Sequence, residues 1–161
     1  MKTLIVYYSR TGTTRKVAHE LAEALSADIE ELKERANREG AKGYLQAGRD
    51  SMRKRPAELE AVTMDPADYD MVVIGGPCWA QGMCTPIRTY GIQQKENLKK
   101  VAFFSTAGSA TFSRKAVDSM ASATGLTPIA TMALAQKDVK SDASQALEKF
   151  VATLRAAHSQ E

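Results

Sequence analysis

A chain of 161 residues, 43% hydrophobic and 25% charged, is long enough to fold around a core without disulfides or a structural metal. Its net charge of +3 is too small to indicate nucleic acid, and two cysteines make neither a disulfide framework nor a four-ligand metal set. No apolar run approaches the roughly 18 residues of a membrane span. We therefore expect one cytoplasmic domain over residues 1–158 that binds neither membrane nor nucleic acid.

The first predicted strand ends in a loop rich in hydroxyl side chains. Residues 4–8 form a short apolar run typical of a strand, and Val17, Leu21 and Leu25 recur at helical spacing. Between them lies Ser9-Arg10-Thr11-Gly12-Thr13-Thr14. Backbone N–H groups and the helix dipole favour an anion at such a turn, although an ordinary helix cap is the alternative. Because G-x-x-x-x-G-K-[ST] and G-x-G-x-x-G are absent, we expect a site for a phosphomonoester.

A short second strand and a basic segment follow the first helix. Residues 27–32 alternate apolar and acidic positions, which is typical of an edge strand. Residues 33–56 then carry eight cations, and a helix that includes Tyr44 and Met52 is compatible with the pattern. We expect these cations to form a solvated face. They are Lys33, Arg35, Arg38, Lys42, Arg49, Arg53, Lys54 and Arg55.

Two further runs are apolar at consecutive positions, which indicates burial on both faces of a parallel sheet. The two runs are residues 71–74 and 101–104. Residues 129–134 supply a fifth strand. We expect Gly75-Gly76-Pro77 to end the third strand, and the loop that follows holds the only tryptophan. The fourth strand also ends in small residues, at 105–110.

The remaining segments predict a turn and three helices. Residues 65–70 resemble a turn or a short helix, and Pro86 suits the first turn of a helix that reaches about Lys95. A second helix contains Phe112 and closes near Gly125. The C-terminal helix is amphipathic over 143–154, with a start at Asp142 that resembles a capping box.

Five strands that alternate with helices predict an α/β fold with a doubly wound parallel sheet. Ligands of such sheets bind outside the carboxyl ends of the strands. This rule selects three loops, 9–14, 76–84 and 105–112, all of them rich in small residues.

Together these loops resemble the flavodoxin-like family, over nearly the whole chain. S-R-T-G-T-T resembles the phosphate-binding signature [ST]-x-T-G-x-T of that family, and G-G-P-C-W resembles the loop whose aromatic residue stacks on the isoalloxazine ring. S-T-A-G-S is similar to the loop that holds the pyrimidine edge of the flavin. No insertion divides the fifth strand, so the resemblance is to the short-chain type. It implies a sheet order of 2-1-3-4-5 and non-covalently bound FMN.

The resemblance also implies roles for individual residues. The 5′-phosphate would be bound by hydroxyl and backbone N–H donors, with positive charge at the rim, from Ser9, Arg10, Thr11, Gly12, Thr13 and Thr14. The flavin face would stack on an exposed Trp79, within a loop that includes Pro77, Cys78, Ala80, Gln81 and Gly82. The polar ring edge would be held by Ser105, Thr106, Ala107, Gly108 and Ser109, with Phe112 a weaker candidate. No metal site and no catalytic residue are expected, and neither His19 nor His158 lies beside these loops.

Two departures from the electron-carrier pattern bear on function. Ala80 stands where such flavodoxins usually have glycine, and a positive φ costs alanine about 1 kcal/mol more. We therefore hypothesise weak stabilisation of the one-electron-reduced flavin, which favours two-electron chemistry. Residues 75–90 also contain no acid and only Arg88 as a cation, so the acidic docking surface of a carrier is missing there.

These features favour an FMN-dependent oxidoreductase that acts on a quinone-like or other acceptor, with NAD(P)H as one conceivable donor. An electron carrier between protein partners is the alternative. A receiver-like signalling domain lacks its acidic cluster here, and a cofactor-free interaction module remains open. Cys78 and Cys84 could form a redox dithiol, but their C-x5-C spacing favours structural thiols. The oligomeric state and the role of residues 33–56 stay open.

Overall fold

Runs of consecutive apolar residues form the inner layer of the protein because helices cover the sheet on both faces.

The computed structural model describes residues 1–159, apart from the side chain of His158. The strands are β1 (Thr3–Tyr7), β2 (Asp28–Glu31), β3 (Met71–Trp79), β4 (Gly82–Met83), β5 (Val101–Ala107) and β6 (Thr131–Ala135). The helices are α1 (Thr13–Leu25), α2 (Gly40–Met52), α3 (Thr85–Gln94), α4 (Ala110–Thr124), α5 (Gln136–Ser141) and α6 (Ser144–His158). Short 3-10 turns lie at Pro66–Asp68 and Lys95–Asn97.

The five long strands form a parallel sheet in the order β2-β1-β3-β5-β6, and β4 pairs antiparallel with the end of β3. The predicted order 2-1-3-4-5 is therefore confirmed for the parallel strands. The predicted edge position of the second strand is also confirmed. The two-residue strand β4 adds a short hairpin that the apolar pattern did not indicate.

Neighbouring residues of the central strands enter two different cores. Leu4 and Val6 pack into a cluster with Ile87 of α3 and Val117 of α4. Ile5 and Tyr7 point into the other cluster, formed with α1 and α6. Because each face is covered, every residue of β1 is buried. This confirms burial on both faces as the cause of the consecutive apolar pattern.

The expectation that Gly75-Gly76-Pro77 ends the third strand is wrong, because β3 continues to Trp79. Pro77 lies opposite Thr106 in the parallel pairing with β5. A Cβ at position 75 would lie 2.1 Å from the Phe104 ring, and one at position 76 would lie 2.7 Å from the Cys84 Sγ. The glycines therefore allow close packing within the strand, and they do not mark its end.

The helix ends agree with the pattern in part. α4 ends at Gly125, whose φ of 71° allows the left-handed cap, as predicted. Before α6, the Asp142 carboxylate accepts a hydrogen bond from the Ser144 N–H at 2.9 Å, but the N-cap position is Ala143. The predicted capping box is therefore wrong. The sequence pattern also did not indicate the short helix α5, which precedes α6. None of the helices described over residues 1–159 is long and apolar enough to cross a bilayer.

Candidate functional site

The three loops selected from the sequence meet around one cavity of about 140 Å³ at the carboxyl ends of β1, β3 and β5. Eleven of its lining residues belong to the predicted set. They are Ser9, Arg10, Thr11, Thr13, Thr14, Pro77, Cys78, Trp79, Thr106, Ala107 and Gly108. Tyr44 and Gln136 complete the lining. The parallel topology therefore brings together segments that lie almost 100 residues apart in the chain.

The first loop is shaped by Gly12, the N-cap of α1, which has a φ of 99°. Its N–H donates to the Ser9 Oγ at 3.0 Å, so this amide is already used inside the loop. The Ser9 hydroxyl keeps its own hydrogen to donate elsewhere. The next amides, at the N-terminus of α1, lack intrahelical partners and carry the positive end of the helix dipole. Gly12 is thus a conformational requirement of the turn, outside the cavity lining.

Thr14 and Thr106 join the first loop to the third. Their hydroxyls form a buried hydrogen bond of 2.8 Å, in which either can donate. The Thr13 hydroxyl accepts a hydrogen bond from Gln136 Nε2 at 3.3 Å, which links α1 to the start of α5. Thr14 therefore holds the site together, whereas Thr11 and Thr13 line the cavity near the N-terminus of α1.

The cavity lining carries one charged side chain, Arg10, and no carboxylate among its described residues. The Arg10 guanidinium carbon lies 5.4 Å from the centre of the exposed Tyr44 ring on α2. A cation at the rim, hydroxyl donors and a helix N-terminus form a donor set that fits a phosphate. The absence of nearby acids in this lining leaves that positive potential uncompensated.

Trp79 is only 7% exposed, so the expectation of an exposed indole is wrong. Its ring packs edge-on against Tyr8, with centroids 5.5 Å apart, and the Arg38 guanidinium lies 5.4 Å from its centre. The Ser51 hydroxyl donates to the Trp79 carbonyl at 2.8 Å and ties α2 to β3. Trp79 still lines the cavity, but the rest of its surface belongs to the protein core.

Part of the basic segment covers the indole. Arg38 is 6% exposed and donates to Glu34 at 2.8 Å and to Asp50 at 2.7 Å. The Tyr8 hydroxyl donates to the same Glu34 carboxylate at 3.1 Å. These carboxylates raise the pKa of Arg38, and burial together with Glu34 raises the pKa of Tyr8. The prediction that the cations of residues 33–56 form a solvated face is therefore wrong for Arg38, although the other seven cations are exposed.

Ala80 and Gln81 form the two-residue turn between β3 and β4. Both have positive φ, 47° and 64°. The Gln81 amide oxygen accepts a hydrogen bond from Lys115 of α4 at 2.9 Å, which holds the turn in place. Ala80 therefore already adopts the positive φ expected to be costly for alanine, so the hypothesis of a weakly stabilised one-electron-reduced flavin, and with it two-electron chemistry, loses that support. Ala80, Gln81 and Gly82 lie outside the 140 Å³ cavity and line a larger one beside it.

The third loop contributes Thr106, Ala107 and Gly108 to the cavity, whereas the other predicted residues of this loop have structural positions. Ser105 is fully buried, and its carbonyl accepts a hydrogen bond from the Ser113 hydroxyl at 2.6 Å. Ser109 is the N-cap of α4 and accepts from the Phe112 N–H at 3.3 Å. The Phe112 ring is 44% exposed and lies outside the lining.

Sequence reasoning missed Tyr44 and Gln136, since neither belongs to a loop at the end of a strand that the pattern selected. Tyr44 also lines an adjoining cavity of about 540 Å³ under α2, which shares Cys78 and Trp79 with the first. Small-molecule sites occupy about 300 to 1,000 Å³, so the two adjoining cavities together offer space on the scale of a cofactor. By size, the 140 Å³ cavity suits a phosphate and the adjoining 540 Å³ cavity suits a ring system.

The two cysteines are free thiols. Cys78 lines the site and is partly buried, which raises its pKa, and burial also raises the pKa of the fully enclosed Cys84. Elevated pKa values leave little thiolate at neutral pH. This environment supports structural thiols.

A family model described as Flavodoxin matches residues 2–150 of the chain. The comparison with curated proteins found no significant match. The solved structures include a flavoprotein from Lactobacillus acidophilus NCFM in complex with FMN, 27% identical, with a TM-score of 0.72 over 86% of this chain and 96% of that chain.

Two more distant structures have the same fold. The oxidised flavodoxin 2 of Bacillus cereus is 19% identical, with a TM-score of 0.57 over 98% of this chain and 99% of that one. The FMN-bound flavodoxin of Fusobacterium nucleatum is 10% identical, with a TM-score of 0.58 and the same coverage.

Proposed function

Because this chain belongs to the flavodoxin family, we propose that it binds FMN without a covalent bond and passes electrons from a reduced donor to a quinone-like or other small-molecule acceptor. The observation that carries the proposal is the cavity where the N-terminus of α1, the Trp79 indole and residues 106–108 meet. The FMN-bound flavoprotein of Lactobacillus acidophilus supports the cofactor. FMN, when bound, supplies the redox chemistry, and the protein positions it and controls its surroundings.

In this proposal Thr11, Thr13 and the first amides of α1 bind the phosphate, and Arg10 adds charge at the rim. Gly12 sets the conformation of the loop, and the Thr14 side chain, which also lines the cavity, ties the loop to Thr106. Trp79 presents one part of its ring to the flavin, while the core holds its orientation. One FMN-binding domain over residues 1–158 and a cytoplasmic location, which suits two free thiols, belong to the same proposal.

Charge favours a small-molecule acceptor over a protein partner. The lining of the cavity contains no carboxylate, and the nearby Glu34 and Asp50 are both paired with Arg38. A cavity whose lining holds no acid offers no local attraction to the basic redox partners that an acidic electron carrier docks with. It also tolerates an anionic donor such as NAD(P)H.

FMN titration of the cofactor-free protein tests the cofactor. Trp79 is the only tryptophan, so its emission should fall as FMN fills the cavity. Riboflavin, which lacks the phosphate, should bind more weakly. Arg10→Gln should weaken FMN binding roughly fivefold, the scale of a partly exposed charge pair of about 1 kcal/mol, and leave riboflavin binding unchanged. The exposed Arg35→Gln is the matched control for lost charge.

The same titration can contradict the proposal. Unchanged tryptophan emission at saturating FMN would place the flavin away from Trp79. Steady NAD(P)H oxidation by the FMN-loaded protein with a neutral naphthoquinone then separates enzyme from carrier. An oxidoreductase turns over alone, whereas a carrier requires a separate reductase.

A further inference from the structure

A cavity of about 890 Å³ lies between the end of α2, α3 and α4, beside the Ala80-Gln81 turn. Its volume falls within the range of about 300 to 1,000 Å³ typical of small-molecule sites. Met52 and Ala80 also line the 540 Å³ cavity on the Trp79 side, so the two spaces adjoin. The proposed FMN contacts do not use this larger cavity.

Arg88 on α3 lines this cavity in an unusual electrostatic setting. Its side chain is partly buried, and its Nη2 donates to the Arg55 carbonyl at 3.3 Å. Within residues 1–159, none of the ion pairs includes Arg88. Burial lowers its pKa, and no carboxylate is among the causes that oppose this effect. Arg38 differs, since two carboxylates compensate its charge.

The other lining residues fit the same ligand chemistry. Lys54 adds a second cation, and the described lining contains no acid. Met52 is 76% exposed and Ile92 is 45% exposed, so apolar surface borders the cations. A partly desolvated guanidinium gains from a bound anion, because the anion replaces the hydration that burial removed.

We propose that this cavity binds a small organic anion, whose charged group contacts Arg88 and Lys54 and whose apolar body packs on Met52 and Ile92. The binding site stands independently of the cofactor. Its assignment to the electron donor or acceptor rests on the proposed function, and the cavity adjoins the Trp79 side through Ala80.

Calorimetric titration with naphthalene-2-sulfonate tests the site, with naphthalene-2-methanol as the neutral analogue. The sulfonate should bind both the FMN-free and the FMN-loaded protein. Arg88→Gln should weaken sulfonate binding roughly tenfold, as expected for a lost charge-assisted hydrogen bond, and leave the neutral analogue unchanged. Arg88→Lys keeps the charge without the planar fork and should give an intermediate loss.

Arg35→Gln, which removes an exposed cation outside the cavity, is the control for net charge. Equal losses in Arg35→Gln and Arg88→Gln, equal binding by Arg88→Gln and the wild type, or no sulfonate binding by the wild type would each overturn the proposal. Competition between FMN and the sulfonate would also overturn it, since it would place the anion in the flavin cavity. Failure of FMN to bind would contradict only the proposed function, because the sulfonate titration does not require FMN.

Discussion

The hydroxyl oxygens of Thr14 and Thr106 lie 2.8 Å apart, although 92 residues separate them in the chain. Both side chains are buried, at 1% and 4% exposure. Each hydroxyl is the hydrogen-bond partner of the other, so α1 and the end of β5 are joined where the proposed phosphate and ring sites meet. This pair fixes the relative position of two of the loops that line the cavity.

Thr14→Val should lower the free energy of unfolding by about 1 to 3 kcal/mol, because it leaves the Thr106 hydroxyl buried without a partner. Thr106→Val should have a similar cost. The double variant should lose less than the sum of the two, since both polar groups are then gone. Urea denaturation of the four proteins measures this coupling, and additive losses would contradict it.

Arg38→Met should destabilise the protein by about 3 kcal/mol, because Glu34 loses its one ion pair among the described residues and Asp50 keeps only longer ion pairs with the exposed Arg49 and Arg55. It also removes the cation that packs on Trp79. The exposed Arg35→Met should change stability by less than about 0.5 kcal/mol. Denaturation monitored by Trp79 fluorescence compares the two, and similar small effects would show that the buried pairs contribute little.

Gly12→Ala should cost about 1 to 2 kcal/mol, because φ at this position is 99° and L-residues are strained there. Gly48→Ala should have the opposite sign. Gly48 lies inside α2, and a Cβ there would meet no atom within 4 Å. Alanine in a helix gains about 0.5 to 1 kcal/mol over glycine. Thermal unfolding of both variants tests the contrast, and a loss in each would contradict it.

Maleimide labelling followed by peptide mapping should distinguish the two thiols. Cys84 is completely buried and should react only after unfolding. Cys78 is partly exposed, and its raised pKa leaves less thiolate at neutral pH, so it should react slowly and faster as the pH rises. Saturation with FMN should slow it further, because Cys78 lines the cavity. Rapid labelling of Cys84 in the folded protein would contradict this packing.

Local pattern was sufficient for much of the fold. The consecutive apolar residues of 71–74 and 101–104 required burial on both faces, and the parallel topology then placed three loops at one edge of the sheet. The hydroxyl-rich turn before α1 could be located from the sequence because local hydrogen bonding and backbone conformation favour hydroxyl residues and glycine at the start of a helix. Eleven of the eighteen predicted site residues line the resulting cavity.

Pattern could not decide what covers a given side chain. Trp79 looks like a loop residue in sequence, but Arg38 and Tyr8 from distant segments enclose it. Gly75 looks like the end of a strand in sequence, yet β3 continues through it. Its missing side chain leaves room for the Phe104 ring on the neighbouring strand. Ala80 adopts a positive φ because the β3–β4 hairpin imposes it.

The amino-acid sequence alone determined the alternation of strands and helices, the two-sided burial of the sheet and the edge at which the loops meet. These properties follow from the period of apolar residues and from the handed, parallel connections between strands. Only the tertiary structure decided that part of the basic segment lies over the indole and that Arg38 is neutralised while Arg88 is not. Those outcomes depend on which charges and rings meet across long sequence separations, and a local pattern carries no information about such encounters.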